Sequence, residues 1–177
     1  MATESVAQSR WIPWVAAATE ADWDGLYREQ LPRVYNFFRY RLGEGPEAED
    51  LTSITFEKAW RSRHRFRRDL GAFSTWLFAI ARNVAVDHYR QARDHEPLEA
   101  GHEIAGGKTP EELAVERSEA ERLFELLERL PARERELIAL KYGAGLTNRA
   151  IARLVGLGES NVGTILHRTV QALRAGW

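Results

Sequence analysis

TNRAIARLVGLGESNVGTILHRTVQALR, the stretch from Thr147 to Arg174, has the layout of two short helices parted by a tight turn. Thr147 offers a hydroxyl to cap the first helix, whose Ile151 and Leu154 point inward. Gly156 permits the positive backbone angle of the turn, and Ser160 stands where it can cap the second helix. On a helical wheel Val162, Ile165, Leu166, Val170 and Leu173 gather on one side of that second helix, while Ser160, Thr164, His167, Arg168 and Gln171 gather on the other. A surface that enters the major groove needs short polar groups near the helix start and a cation able to reach a base edge or a phosphate, and this face has both. The segment therefore predicts a DNA-binding helix-turn-helix, the alternative being an ordinary amphipathic helix with a solvated face.

Working back toward the start of the chain, helical periodicity continues and no alternating strand pattern interrupts it. Pro131 opens a helix that ends at Gly143. Thr109-Pro110-Glu111-Glu112 forms a capping box for another helix, which runs to about Arg129. Between His95 and Lys108 stand Pro97, Gly101, Gly106 and Gly107 with few large apolar residues, the composition of a linker. Before it, Phe73, Trp76, Leu77, Ile80, Ala81 and Val84 fall at three- and four-residue spacing along a helix from about Ala72 to Arg93. Gly45 and Pro46 open a helix whose Leu51, Ile54, Ala59 and Trp60 turn inward, leaving Asp50, Ser53, Glu57 and Lys58 outward. Asp22 to Leu42 is expected as two helices parted near Pro32. The predicted fold is all-α: two small helical bundles joined by a flexible linker, the second containing the helix-turn-helix. The boundaries are an arm at 1–20, a first domain at 21–94, a linker at 95–108 and a second domain at 109–177.

The chain has 177 residues and a formal net charge of −1, a balance that conceals blocks of opposite sign. Lys58 to Asp94 holds nine Lys or Arg against three acidic residues, and Leu137 to the end holds five against Glu159 alone, so phosphate is expected to meet the chain in two places. Solvated helix faces are the alternative reading of charge alone. Cysteine is absent, which excludes a disulfide framework and a thiolate metal site and fits a reducing cytoplasm. No stretch is long and apolar enough for a membrane span, so no membrane insertion is expected. His64, His88, His95, His102 and His167 are scattered singly with neither metal-ligand spacing nor a glycine-rich phosphate loop. No catalytic residue, metal or cofactor is expected.

Three segments in this order resemble the bacterial sigma-70 family of RNA polymerase sigma factors, and within it the extracytoplasmic-function (ECF) group: AEDLTSITFEKAW (Ala48 to Trp60), FSTWLFAIARNVAVDHYRQARD (Phe73 to Asp94) and the stretch from Leu127 to Arg174. The resemblance covers Asp22 to Arg174. It implies a non-enzymatic, cytoplasmic factor that binds the RNA polymerase core through its beta and beta-prime subunits and reads promoter DNA, with an anti-sigma factor as a further candidate partner. Asp50, Ser53, Phe56 and Lys58 would bind the polymerase clamp helices, although Phe56 also reads as plain core packing. Arg65, Phe66, Arg67 and Arg68 resemble a loop that captures a flipped base of the minus-10 element, and Arg82, Asn83, His88 and Arg90 would face the opened strand. Asn83 reads equally well as a group that satisfies backbone inside the bundle. Arg149, Ser160, Asn161, Thr164, His167, Arg168 and Gln171 would read the minus-35 element.

The chain departs from the family pattern in three places. Gly163 and Ile165 stand where a basic pair is common, and Ala150 stands where an acidic residue would complete Thr147's capping box, so weak and context-dependent minus-35 binding is expected. Ala79 and Ile80 replace the paired aromatics that assist melting in primary sigma factors. Trp11, Pro13 and Trp14 of the arm have no assigned counterpart. The rival function is a helix-turn-helix regulator that binds an operator without being a polymerase subunit. It accounts for the last third of the chain but not for the basic connector and the helix after it.

Overall fold

The computed structural model describes residues 14–43, 45–67, 71–94 and 110–177, with the side chains of 14–22, 92–94 and 110–118 outside the description. Seven α-helices occur among the described residues: α1 (Trp14–Leu42), α2 (Pro46–Arg61), α3 (Phe73–Asp94), α4 (Pro110–Glu128), α5 (Ala132–Ile138), α6 (Asn148–Val155) and α7 (Glu159–Gly176). A 3-10 turn at Arg63–Arg65 follows α2, and a π-helical turn at Ala139–Gly143 continues α5. The expected linker and the Thr109 cap lie outside the described residues, while Pro110 does open α4.

Pro32 does not part α1 into two helices, contrary to expectation. A proline inside a helix removes one hydrogen bond and orphans the carbonyl four residues back. Pro32 is exposed, so water can meet that carbonyl, while Gln30, Val34, Phe37, Phe38 and Arg41 keep an unbroken buried stripe. Because α1 begins at Trp14, the expected boundary at residue 20 falls inside a helix; Trp11 and Pro13 lie outside the described residues.

The buried stripe of α2 is turned relative to the sequence reading. Ala48, Leu51, Thr52, Thr55, Phe56 and Ala59 face inward, and Ile54 and Trp60 sit on the shoulders at 38% and 39% exposure. Two threonines can be buried because each hydroxyl donates to a carbonyl one turn back: Thr52 to Ala48 at 2.6 Å and Thr55 to Leu51 at 2.7 Å. On α3, Leu77, Phe78, Ala81, Val84 and Ala85 are buried against this surface.

The two bundles are packed against each other rather than merely tethered. One hydrophobic cluster runs from Val34, Phe37 and Phe38 through Leu137, Leu140 and Leu146 to Ile151, Val162 and Leu166. The run Leu137–Leu140 is buried without a break because α5 and the π-helical turn meet α1 as well as the C-terminal helices. Arg39 of α1 lies over the Phe124 ring of α4 at 5.2 Å, adding a cation–π contact to this apolar packing.

Candidate nucleic-acid interface

The helix-turn-helix is built largely as its residues dictate. The Thr147 hydroxyl accepts from the Ala150 amide at 3.2 Å, half of a capping box. Gly156 ends α6 in the left-handed region at φ 70°, a conformation costly for any residue with a Cβ. The cap of α7 is Gly158 rather than Ser160, which lies inside the first turn and whose carbonyl accepts from the Thr164 hydroxyl. The turn is therefore two residues shorter than the sequence reading, because Gly158 takes up extended backbone without needing a side-chain cap.

Val162, Leu166 and Thr169 bury one side of α7, while Ser160, Asn161, Thr164, His167, Arg168 and Gln171 are all exposed, as is Arg149 on α6. Thr169 was not foreseen as a buried residue. Its hydroxyl donates to Ile165 at 2.9 Å and lies 3.4 Å from a Glu134 carboxylate oxygen, so its polarity is satisfied inside. Both cations of this face are tied to carboxylates at the surface: Arg168 to Glu134 at 2.9 Å and Arg149 to Glu159 at 3.2 Å. Pairs this exposed contribute at most about 1 kcal/mol, so either guanidinium is released cheaply to a phosphate.

Gly163 lies in the elbow of the motif, where an added Cβ would meet only the Asn148 side chain, at 3.5 Å. That is ordinary contact, so Gly163→Ala is expected to stabilise the protein by up to about 1 kcal/mol through helix propensity. Thermal melting of the purified chain checks it. Gly163→Arg, in the same assay series, is expected to tighten duplex DNA binding and steepen its salt dependence.

Toward the other end of the chain the expected sites divide differently from the sequence reading. Of the two settings that suit a captured base, an exposed ring or a shaped pocket, Phe66 has the second. It is half-buried in an aromatic cluster, 5.3 Å from Phe73 and 5.4 Å from Trp76, with Trp23 beyond Phe73 at 5.6 Å. Arg65 and Arg67 remain exposed beside it, and Arg68 lies outside the described residues. Asn83 and Arg90 are exposed and share a face of α3, so Asn83 does not serve the bundle interior. His88 lies roughly 150° around the helix from them, since residues five apart from Asn83 and two apart from Arg90 cannot share a face. It belongs instead to a groove of about 300 Å³ between α2 and α3, with Asp50, Leu51, Ile54, Lys58 and Asp87. There its Nε2 stands 3.8 Å from Glu47, and Lys58 pairs with Asp87 at 3.3 Å.

Of the four residues expected to bind polymerase, Asp50, Ser53 and Lys58 are exposed on α2. Phe56 is not: it is 6% exposed, with its ring edge-on to Tyr27 at 4.6 Å, so its place is the core. Arg82 is likewise engaged internally. Its Nε donates to Glu136 at 2.9 Å and its Nη1 to the Leu154 carbonyl, both in the C-terminal bundle. Sequence periodicity has no means of finding such a contact, because its partners lie 54 and 72 residues away. Arg153 is a further cation that the sequence reading passed over. It lines a crevice of about 280 Å³ together with Arg65, Phe66, Arg67 and Trp76.

Among the described residues no group of three or more His, Asp or Glu stands together to hold a metal, and no helix is long and apolar enough to cross a membrane.

Comparison with known proteins finds two family models in order along the chain: sigma-70 region 2 over residues 26–95 and sigma-70 region 4 over residues 120–173. The ECF RNA polymerase sigma factor BldN of Streptomyces coelicolor is 33% identical over 162 residues; the match covers 89% of this chain and 61% of that protein. The ECF sigma factor SigL of Mycobacterium tuberculosis is 30% identical, with 92% of this chain and 93% of that protein covered. Among solved structures, the sigma factor RpoE in complex with the anti-sigma factor NepR from Bartonella quintana matches with a TM-score of 0.69 at 23% identity, over 88% of this chain and 96% of that one, a likeness of fold.

Proposed function

Since the chain belongs to the ECF group of the sigma-70 family of RNA polymerase sigma factors, we propose that it directs promoter-specific initiation by joining polymerase core to minus-10 and minus-35 elements. The observation that carries this reading is the pairing of both region models with two separate polar surfaces, one on each bundle. An operator-binding regulator needs only the second of these, so region 2 would have no task in it.

Asp50, Ser53 and Lys58 on the outer face of α2 are proposed to meet the clamp helices of the beta-prime subunit, with His88 in the groove alongside. Arg65, Phe66, Arg67 and Arg68, with Asn83 and Arg90, are proposed to hold the opened minus-10 strand. Guanidinium groups around half-buried rings suit a base taken out of the stack together with its phosphates. Arg149 and the exposed face of α7 are proposed to read the minus-35 duplex through short polar groups and one long cation. Contacts to an unpaired strand form only after the duplex opens, so binding itself shifts the closed-to-open equilibrium of the promoter with no covalent step. An anti-sigma protein, as in the Bartonella complex, is the proposed inhibitory partner.

Run-off transcription from a genomic promoter library, with core polymerase and with or without this chain, tests the reading. Discrete transcripts are expected only in its presence. An operator-binding regulator would instead retain duplex affinity and yield no new transcript.

A further inference from the structure

We propose that the crevice between the connector and the end of α6 is a binding site for a nucleoside polyphosphate. It is distinct from the minus-10 surface proposed above, although the two share Phe66, because Arg153 of α6 completes it.

The crevice, of about 280 Å³, combines aromatic and cationic lining. Phe66 and Trp76 line it with ring centroids 5.4 Å apart and planes inclined at 42°. Phe73 touches both rings, at 5.3 and 5.5 Å, so they are held in place rather than free to turn. Both are half-buried, which leaves ring surface for a flat base to lie against.

Three guanidinium groups meet at the same crevice: Arg65 and Arg67 from the connector and Arg153 from the last turn of α6. Arg67 is already engaged, so Arg65 and Arg153 are the two that call for an anion. Both are exposed, and neither has a hydrogen-bond or ion-pair partner among the described residues. Arg61, Arg149 and Arg168, likewise exposed, each have a carboxylate, within 2.6 to 3.2 Å. No acidic residue lines the crevice among the described residues. Bringing like charges together from two parts of the fold costs Coulomb energy that a bound polyanion would reverse. Gly71, Ala72 and Thr75, at the start of the 22-residue α3, also line the crevice, and the positive end of that helix adds to the same field.

The ligand class follows from this combination. The volume is that of a small-molecule site rather than of a protein-sized interface. Rings alone would take any planar group, and cations alone any phosphate. Together they select a base that carries more than one phosphate, a nucleoside di- or triphosphate. An occupied site denies Phe66 to an opened strand, so initiation would answer to the nucleotide supply.

ATP carrying an N-methylanthraniloyl group on its ribose is the probe, read by anisotropy against the full chain. Unlabelled ATP is expected to displace it at least about tenfold better than adenosine or inorganic tripolyphosphate. Arg153→Ala removes an exposed side chain and leaves the fold intact. It is expected to weaken nucleotide binding at least about tenfold, while affinity for a fluorescein-labelled single-stranded DNA of mixed sequence falls by no more than about twofold. Displacement by tripolyphosphate as effective as by ATP would reduce the crevice to a general cationic patch and overturn the proposal. So would unchanged nucleotide affinity in Arg153→Ala, or equal losses for nucleotide and strand, which would place the nucleotide on the strand surface alone. Absence of nucleotide binding at about 1 mM overturns it too, and wild-type affinity for the single strand then shows that the minus-10 role still stands.

Discussion

Phe56→Ala is expected to cost about 3–5 kcal/mol of folding stability, enough to unfold a large fraction of a marginally stable protein. The ring is almost wholly buried among α2 and its neighbours and meets Tyr27 edge-on at 4.6 Å. Its removal subtracts both the transfer free energy of the side chain and the contacts across the space it leaves. Phe56→Leu keeps an apolar group of similar reach and should cost only about 1 kcal/mol. Chemical denaturation of the two variants, alongside their affinity for polymerase core, separates packing from contact. If the folded Phe56→Leu chain lost more than about tenfold in polymerase affinity, some 1.4 kcal/mol, the ring would be a contact in its own right and its burial would not be its main role.

The same residue marks how far sequence periodicity reaches. The apolar stripe of α3 was legible because Leu77, Ala81 and Val84 recur at helical spacing. The stripe of α2 was legible only in part, since Thr52 and Thr55 count as polar in any pattern until their hydroxyls are seen to bond to their own helix. The helix-turn-helix was the most readable element, because cap, turn and both helix lengths are local choices that agree. Its one error, the cap at Ser160 in place of Gly158, was a local ambiguity between candidates two residues apart. Contacts between the bundles were illegible. Arg82 looks like a free cation on an amphipathic helix until Glu136 and the Leu154 carbonyl are brought to it by the fold. The aromatic setting of Phe66 was illegible for a similar reason, since Trp23, Phe73 and Trp76 come together only in three dimensions. His88 is different: a helical wheel alone would have moved it to the groove beside Asp50 and Lys58.

Arg149→Ala combined with Arg168→Ala is expected to weaken binding of duplex minus-35 DNA by about 60-fold at 0.1 M salt, with little change in folding stability. The magnitude follows from counterion release. Each phosphate contact contributes about 0.9 to the slope of log affinity against log salt, so loss of two reduces the slope by about 1.8. Stability changes little because both ion pairs are exposed, and Glu134 retains the Thr169 hydroxyl within 3.4 Å when Arg168 is gone. Glu159→Gln supplies the opposite perturbation. It frees Arg149 and takes a negative charge from the first turn of α7, which should tighten binding and lower its sensitivity to the loss of Arg168 alone. Affinity measured across 0.05–0.5 M salt (about one decade) distinguishes the possible roles. Curves of wild type and double variant that converge as salt rises identify phosphate contacts, since electrostatic gains vanish there. A parallel displacement at every salt concentration would instead assign the two arginines to base edges, and coincident curves would remove this face of α7 from the duplex altogether.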